Sequence, residues 1–244
     1  VAGCVVGGAA RAAPYRSCGD EASRQSMLAI GVNAAEDPVV TDLAFALSPT
    51  RRSAHDRPTV VLGVMDYWGR DDNPDASGIH DSYVDRLSAL VHALGARGWH
   101  VRLVGGDDGD LPLAHHLADD SPDVASAVDA STPEDLVAEM SAASVVIATR
   151  YHTLIMALLA GTPAVSIGYG DKHAAIFHQL GLPDAHRDIE AFDPYELTSL
   201  VAVTAEGARD LGPRIDTAVA DARNKLDEQW LIVDAILRSR TSGR

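Results

Sequence analysis

The sequence predicts an α/β protein with a Rossmann-like, doubly wound parallel sheet, because from Thr59 onward short apolar runs alternate with segments of helical period. The runs are apolar throughout, as in TVVLGV at Thr59 to Val64, the pattern of strands covered on both faces. Glycines close the helical segments, and Asp-Pro or Thr-Pro pairs open them.

In order, Val1 to Ala10 is apolar and Gly-rich and reads as a strand with its following loop. With Val at position 1, the chain is expected to begin inside a longer protein. Asp20 to Ile30, DEASRQSMLAI, has acids first and then apolar residues at helical spacing, with Gly31 as a stop. Val39 and Val40 read as strand, followed by Asp42 and an apolar run ending at Ser48 and Pro49; Thr50 to Pro58 is polar and aperiodic, a linker. Residues 1–57 are therefore expected to be the remnant of an N-terminal domain plus linker, and 58–244 the Rossmann-like domain.

In that domain Thr59 to Val64 is a strand, Met65 to His80 a long loop, and Ser82 to Leu94 a helix ended by Gly95 and Gly98. Val101 to Val104 is the next strand, Leu111 to Ala118 a helix, and Val124 to Val128 an edge strand. Ser131 caps a helix from Pro133 to about Ala142 through a box with Glu134, with Thr132 as the alternative cap. Ser144 to Ala148 and Ala164 to Ile167 are strands, separated by a helix at Thr153 to Leu159 that Gly161 closes. Lys172 to Leu180 is helical, Asp193 and Pro194 start another helix, and Pro213 starts a final long one reaching Leu237.

Hydrophobic residues make up 46% and charged residues 23%, enough for one large core or two smaller ones. Lys and Arg number 20 against 35 Asp and Glu; the net charge of -15 disfavours nucleic acid and anionic lipid and obliges an anionic ligand to find a local basic pocket. No run approaches the ~18 apolar residues of a membrane span, and Val1 to Ala10 lacks a signal-peptide pattern. A cytoplasmic location is expected, with peripheral association at the inner membrane face left open, as is a homo-oligomer. Cys4 and Cys18 are too few for a disulfide framework or zinc site, and His92, His100, His115, His116, His178 and His186 lack ligand spacing, so neither metal nor cofactor is expected.

The chemistry concentrates in Ser144 to Phe177, where strand, loop and helix follow one another twice. The first strand ends at Thr149, which puts Arg150, Tyr151 and His152 at a helix start on the carboxyl edge of the sheet, where open parallel sheets bind ligands. Unpaired first-turn N–H groups favour phosphate or carboxylate, Arg150 adds a bidentate fork, and His152 exchanges a proton near neutral pH. The plainer reading is an Arg and a His satisfied by local carboxylates. Gly168, Tyr169, Gly170, Asp171 and Lys172 form a second loop that would lie beside the first. Arg70, in the long loop after the first strand, is a further candidate for the donor, with a solvated acidic loop as the alternative.

Arg150-Tyr151-His152, the small-residue helix MALLAGTP and then SIGYGDK resemble the polysaccharide pyruvyl transferase pattern, as does the upstream DEASRQSMLAIGV with VVTDLAFAL. Where that family reads Arg-Asp-Glu, this chain has Gly19-Asp20-Glu21, with Arg16 nearby. The resemblance implies the C-terminal, donor-binding half of a GT-B-like two-domain architecture and transfer of a pyruvyl group from phosphoenolpyruvate to a glycan or lipid-linked sugar as a ketal, without metal. It assigns Arg150 to phosphoenolpyruvate, His152 to acid catalysis or phosphate contact, Tyr151 to a backbone N–H contact, and Lys172, Gly168 and Tyr169 to the donor loop. Two rivals stand beside it: a nucleotide-sugar glycosyltransferase using Glu190 or Glu196 for the ribose, and a non-catalytic binding module of the same fold.

Overall fold

In the computed structural model, residues 2–48, 55–70, 73–180 and 185–241 are described, and they fall into two compact units, Val1–Ala46 with Val219–Arg244, and Leu47–Ala218.

The larger unit carries six parallel strands in the order β3-β2-β1-β4-β5-β6. They are β1 (Thr59–Val64), β2 (His100–Gly105), β3 (Ala125–Val128), β4 (Val145–Ala148), β5 (Ala164–Gly168) and β6 (His186–Asp188). The order reverses between β1 and β4, so the sheet is doubly wound and its ligand crevice is expected at the carboxyl ends of those two strands. The fold class predicted from the sequence is the one observed.

Helices α3 (Ala76–Ala96), α4 (Leu111–Asp120), α5 (Pro133–Ser141), α6 (Tyr151–Leu159), α7 (Asp171–Leu180) and α8 (Pro194–Glu206) cover the sheet. Side chains alternate across a strand. Val60, Leu62 and Val64 of β1 therefore share one face and pack with Leu87, Leu90 and Leu94 of α3 and Leu197 and Val201 of α8. Val61 and Gly63 point to the other face, where α6 lies so close that a Cβ on Gly63 would sit 2.5 Å from Thr153 Cγ2. Glycine at 63 is what lets the helix carrying the candidate site rest on the sheet.

Some boundaries differ from expectation. α3 begins at Ala76, so the loop after β1 is shorter than Met65 to His80; the strong apolar period that marks this helix starts only in its second turn. Thr132, not Ser131, caps α5, its oxygen accepting from the Asp135 N–H at 3.1 Å. β6 was not anticipated, because its His-Arg-Asp sequence offers no apolar signal.

In the smaller unit the opening segment is a helix, α1 (Ala2–Ala12), rather than a strand and loop. Alanine dominates it and keeps it helical despite its glycines. α2 (Glu21–Ala29) is capped by Asp20, which accepts from Ser23 N–H at 2.6 Å, and Gly31 ends it at φ 76. Val39 forms only an isolated bridge with Cys18, not a strand. Arg16 is fully engaged within this unit: Nε and Nη2 donate to the Asp37 carboxylate at 2.7 and 3.0 Å, and Nη1 and Nη2 to the carbonyls of Ala10 and Asn33.

Helix α9 (Ala208–Thr241) contributes to both units and starts before Pro213, which lies inside it. In the first turns a proline removes at most one backbone bond. The predicted linker lies largely outside the described residues. Among the described residues no helix is long and apolar enough to cross a membrane.

Candidate functional site

β4 ends at Ala148, and Arg150 follows in extended conformation as the N-cap of α6, at φ -97 and ψ 146. A guanidinium cannot accept a hydrogen bond, so α6, unlike α2, α5 and α8, starts without a side-chain cap.

The Arg150 side chain runs along the crevice toward the loop after β2. Nε and Nη2 donate to Oδ2 and Oδ1 of Asp110 at 2.5 and 2.7 Å, and Nη2 lies 2.8 Å from Asp107 Oδ2. Asp110 is fully buried and also accepts the N–H groups of Asp66, Gly106 and Asp107 at 2.9, 3.0 and 3.2 Å. Burial opposes ionisation of Asp110, but the Arg150 and backbone hydrogen bonds outweigh it and hold the carboxyl below its ordinary range. The same hydrogen bond raises Arg150. Asp110 thus ties the loops after β1, β2 and β4 into one hub.

Gly106 belongs to that hub, since a Cβ there would fall 2.4 Å from Arg150 Cδ. Neither Gly106 nor Asp110 was singled out from sequence. A glycine pair after a strand is common in ordinary turns, and an aspartate forty positions from its arginine gives no local signal.

The two loops meet where Lys172 approaches Tyr151. Lys172 Nζ lies over the Tyr151 ring at 5.7 Å from its centroid, within cation–π range, and the His152 ring is 5.8 Å from that of Tyr151. His152 is exposed. Tyr169 is 42% exposed and stacks on Tyr67, centroids 6.2 Å apart. Arg150 and Arg70 are not brought into this cluster: Arg150 turns to Asp107 and Asp110, while Arg70 pairs with Asp188 at 3.0 Å and with Glu190 at 4.0 Å.

Gly168, the last residue of β5, makes room for two imidazoles. A Cβ on it would meet His173 Cγ at 2.6 Å and His186 Cε1 at 2.7 Å. His173 was absent from the sequence-derived candidates although it directly follows Lys172. It is 2% exposed, and burial, then the neighbouring His186, pushes it down to about 4.

Of the two carboxylates considered for a ribose, Glu190 accepts the Tyr67 hydroxyl at 2.5 Å, and Glu196 is gripped by Arg187 Nε and Nη2 at 3.0 and 2.7 Å. Burial, then the Glu190 hydrogen bond, raises Tyr67 to about 12, so it is a permanent donor near neutral pH. A cleft of about 480 Å³ beside α3 is lined by Asp66, His80, Asp81, Asp85 and His116; its acidic walls have the wrong sign for an anionic donor. Among the described residues no cluster of His, Cys, Asp or Glu could hold a metal ion.

The chain is similar to the amylovoran biosynthesis protein AmsJ of Erwinia amylovora, 30% identical over 77 residues that span 32% of this chain and 19% of AmsJ. Among solved structures it is similar to AviGT4, a glycosyltransferase involved in avilamycin A biosynthesis (16% identity, TM-score 0.46, 87% of this chain and 62% of that one). Another is the E. coli heptosyltransferase WaaC with ADP (11% identity, TM-score 0.44, 77% and 58%). The chain thus spans less than two thirds of the length of these relatives. The profile of the polysaccharide pyruvyl transferases matches residues 9–171, well over half of the sequence and inclusive of Arg150, His152 and Gly168 though ending one residue before Lys172, and the chain belongs to that family.

Proposed function

We propose that this chain is the donor-binding half of a GT-B-like pyruvyl transferase that moves the pyruvyl group of phosphoenolpyruvate to a glycan or lipid-linked sugar as a ketal. The observation that carries this reading is the apposition of the two rim loops, with Lys172 lying over Tyr151 at the uncapped start of α6, in a member of this family.

The reaction adds a proton to C3 of phosphoenolpyruvate while a sugar hydroxyl oxygen bonds to C2 and loses its proton. The bond from C2 to the phosphate oxygen then breaks, phosphate leaves, and a second hydroxyl bonds to C2 with loss of its proton. His152 supplies the proton to C3 and recovers one from the attacking hydroxyl. The α6 N-terminus and Lys172 neutralise phosphate and carboxylate. Arg150 reaches the donor through Nη1, which makes no hydrogen bond among the described residues. Gly168 and Tyr169 shape the second wall, and Arg70 approaches from the loop after β1.

Phosphoenolpyruvate is expected to raise the melting temperature where nucleoside diphosphates do not; the opposite order would favour the nucleotide-sugar reading. His152→Ala is expected to lower phosphoenolpyruvate-dependent phosphate release with a glycan acceptor by about a hundredfold to ten-thousandfold while leaving donor binding intact. Binding without phosphate release from any acceptor would support the non-catalytic module.

A further inference from the structure

Ser166 on β5 and His173 on α7 are 0% and 2% exposed, and Ser166 Oγ lies 2.6 Å from His173 Nδ1. A hydroxyl sealed beside a strand needs an acceptor for its proton, and Nδ1 is the only partner of Ser166 Oγ among the described residues. Were Nδ1 the donor instead, the hydroxyl proton would be left without an acceptor. Ser166 therefore donates, and the proton of the neutral imidazole is confined to Nε2.

Nε2 is itself shut off from solvent and has no partner among the described residues. The ring lies at the junction of the two rim loops, 5.9 Å from the Tyr151 ring and 6.0 Å from that of Tyr169, and against Gly168. His186, 6.0 Å away, is the titratable neighbour on the sheet side. A buried donor with no acceptor, in a ring 5.9 Å from that of Tyr151 on the first turn of the helix with no side-chain cap, is an unsatisfied group that one anion oxygen would satisfy.

We propose that His173 is a ligand-facing hydrogen-bond donor, its Nε2–H given to an oxygen of the phosphate or carboxylate held at the start of α6, with Ser166 as the positioning residue that sets its tautomer. This deepens the reading of the rim as a phosphoenolpyruvate site and rests on it. A ring kept neutral by burial offers a fixed dipole and leaves proton transfer to the exposed His152.

The test follows imidazole nitrogens by long-range proton–nitrogen spectroscopy of the full chain, titrated separately with inorganic phosphate and with phosphoenolpyruvate. The free protein is expected to show a neutral Nε2–H tautomer at His173 whose signal moves saturably with either anion. His173→Phe in a Ser166→Ala background is expected to weaken anion binding about tenfold to a hundredfold, the loss of one hydrogen bond to a charged group. Ser166→Ala alone is expected to mix the tautomers. If the double variant does not fold, the wild-type titration decides.

A His173 signal that stays still while phosphoenolpyruvate raises the melting temperature overturns the donor role and leaves the pyruvyl reading standing. If phosphate moves the signal and phosphoenolpyruvate does not compete, the pyruvyl reading falls and the donor stands. If neither anion binds, both fall.

Discussion

Asp110→Asn removes one charge from the hub that joins three rim loops while keeping its shape. Five donors converge on the carboxylate: Asp66 N and Arg150 Nη2 on Oδ1, and Gly106 N, Asp107 N and Arg150 Nε on Oδ2. An amide can face only one of these groups with its oxygen. Its better placement keeps the three donors on Oδ2 and sets an NH2 against Asp66 N and Arg150 Nη2. The loss is one neutral bond of about 1 kcal/mol and one charge-assisted bond of about 2 kcal/mol, plus about 1 to 3 kcal/mol for a buried amide N–H without an acceptor, roughly 4 to 6 kcal/mol in all. Arg150 keeps Asp107 and is 30% exposed, so the full penalty of an orphaned buried charge is not reached. For a chain of this size the melting temperature should fall by about 8 to 24 °C. Urea unfolding followed by circular dichroism measures the change, with Asp107→Asn as the control; Asp107 is 55% exposed, so its loss should cost under about 1 kcal/mol. A loss under about 1 kcal/mol for Asp110→Asn would show that the hub does not hold the loops.

Three further expectations follow from the same contacts. Gly63→Ala sets a Cβ 2.5 Å from Thr153 Cγ2 and should cost about 1 to 3 kcal/mol; Thr153→Ser, which deletes that methyl, should recover most of it in a double variant, and failure of the rescue would count against the close seating of α6. His173 titrates near 4 when folded and at its ordinary 6.5 when unfolded, so between those values the unfolded chain binds a proton the native one refuses. Stability should therefore fall as pH drops through that window, at up to about 1.4 kcal/mol per pH unit, and His173→Phe should flatten this limb of the urea midpoint profile; His186, also lowered by burial, acts with the same sign. Arg16→Lys keeps the charge but loses the planar fork across Asp37 and the carbonyls of Ala10 and Asn33; it should cost about 1 to 2 kcal/mol by calorimetry, and an unchanged protein would place those contacts at the surface in energy as well as position.

The strands of the parallel sheet were legible because they are buried on both faces and therefore apolar throughout. β1 was read to the residue, and β2, β4 and β5 to within one residue at either end. Where burial is partial the signal fades. β6 pairs through Ser166, Ile167 and Gly168, yet its own His186, Arg187 and Asp188 are polar, so the strand is defined by its neighbour's backbone. α1 shows the converse, an apolar Ala and Gly run whose period does not separate helix from strand. A single aromatic does not reveal which side of a long helix is covered, and Trp230 is 54% exposed on α9.

The site was legible in its position and illegible in its direction. Motif and topology put Arg150 at the carboxyl rim, but where a guanidinium points depends on carboxylates from other strands, and in so acidic a chain those carboxylates are at hand. Asp110 takes the Nε and Nη2 edge, the edge best suited to bidentate recognition of an oxyanion, so any ligand contact at Arg150 is reduced to Nη1. On the proposed reading, charge recognition then rests more on the α6 N-terminus, Lys172 and His173 than on the arginine that first marks the motif. Arg150→Lys separates the two tasks. A lysine cannot span both Asp110 oxygens, so the variant should lose stability, and Asp110→Asn added to it should cost less than Asp110→Asn alone because both disturb the Arg150 Nη2 contact. Phosphoenolpyruvate affinity, measured by calorimetry on the folded variant, should drop by less than about tenfold. A drop of a hundredfold or more with stability intact would mean that the arginine belongs to the ligand first and to Asp110 only in its absence.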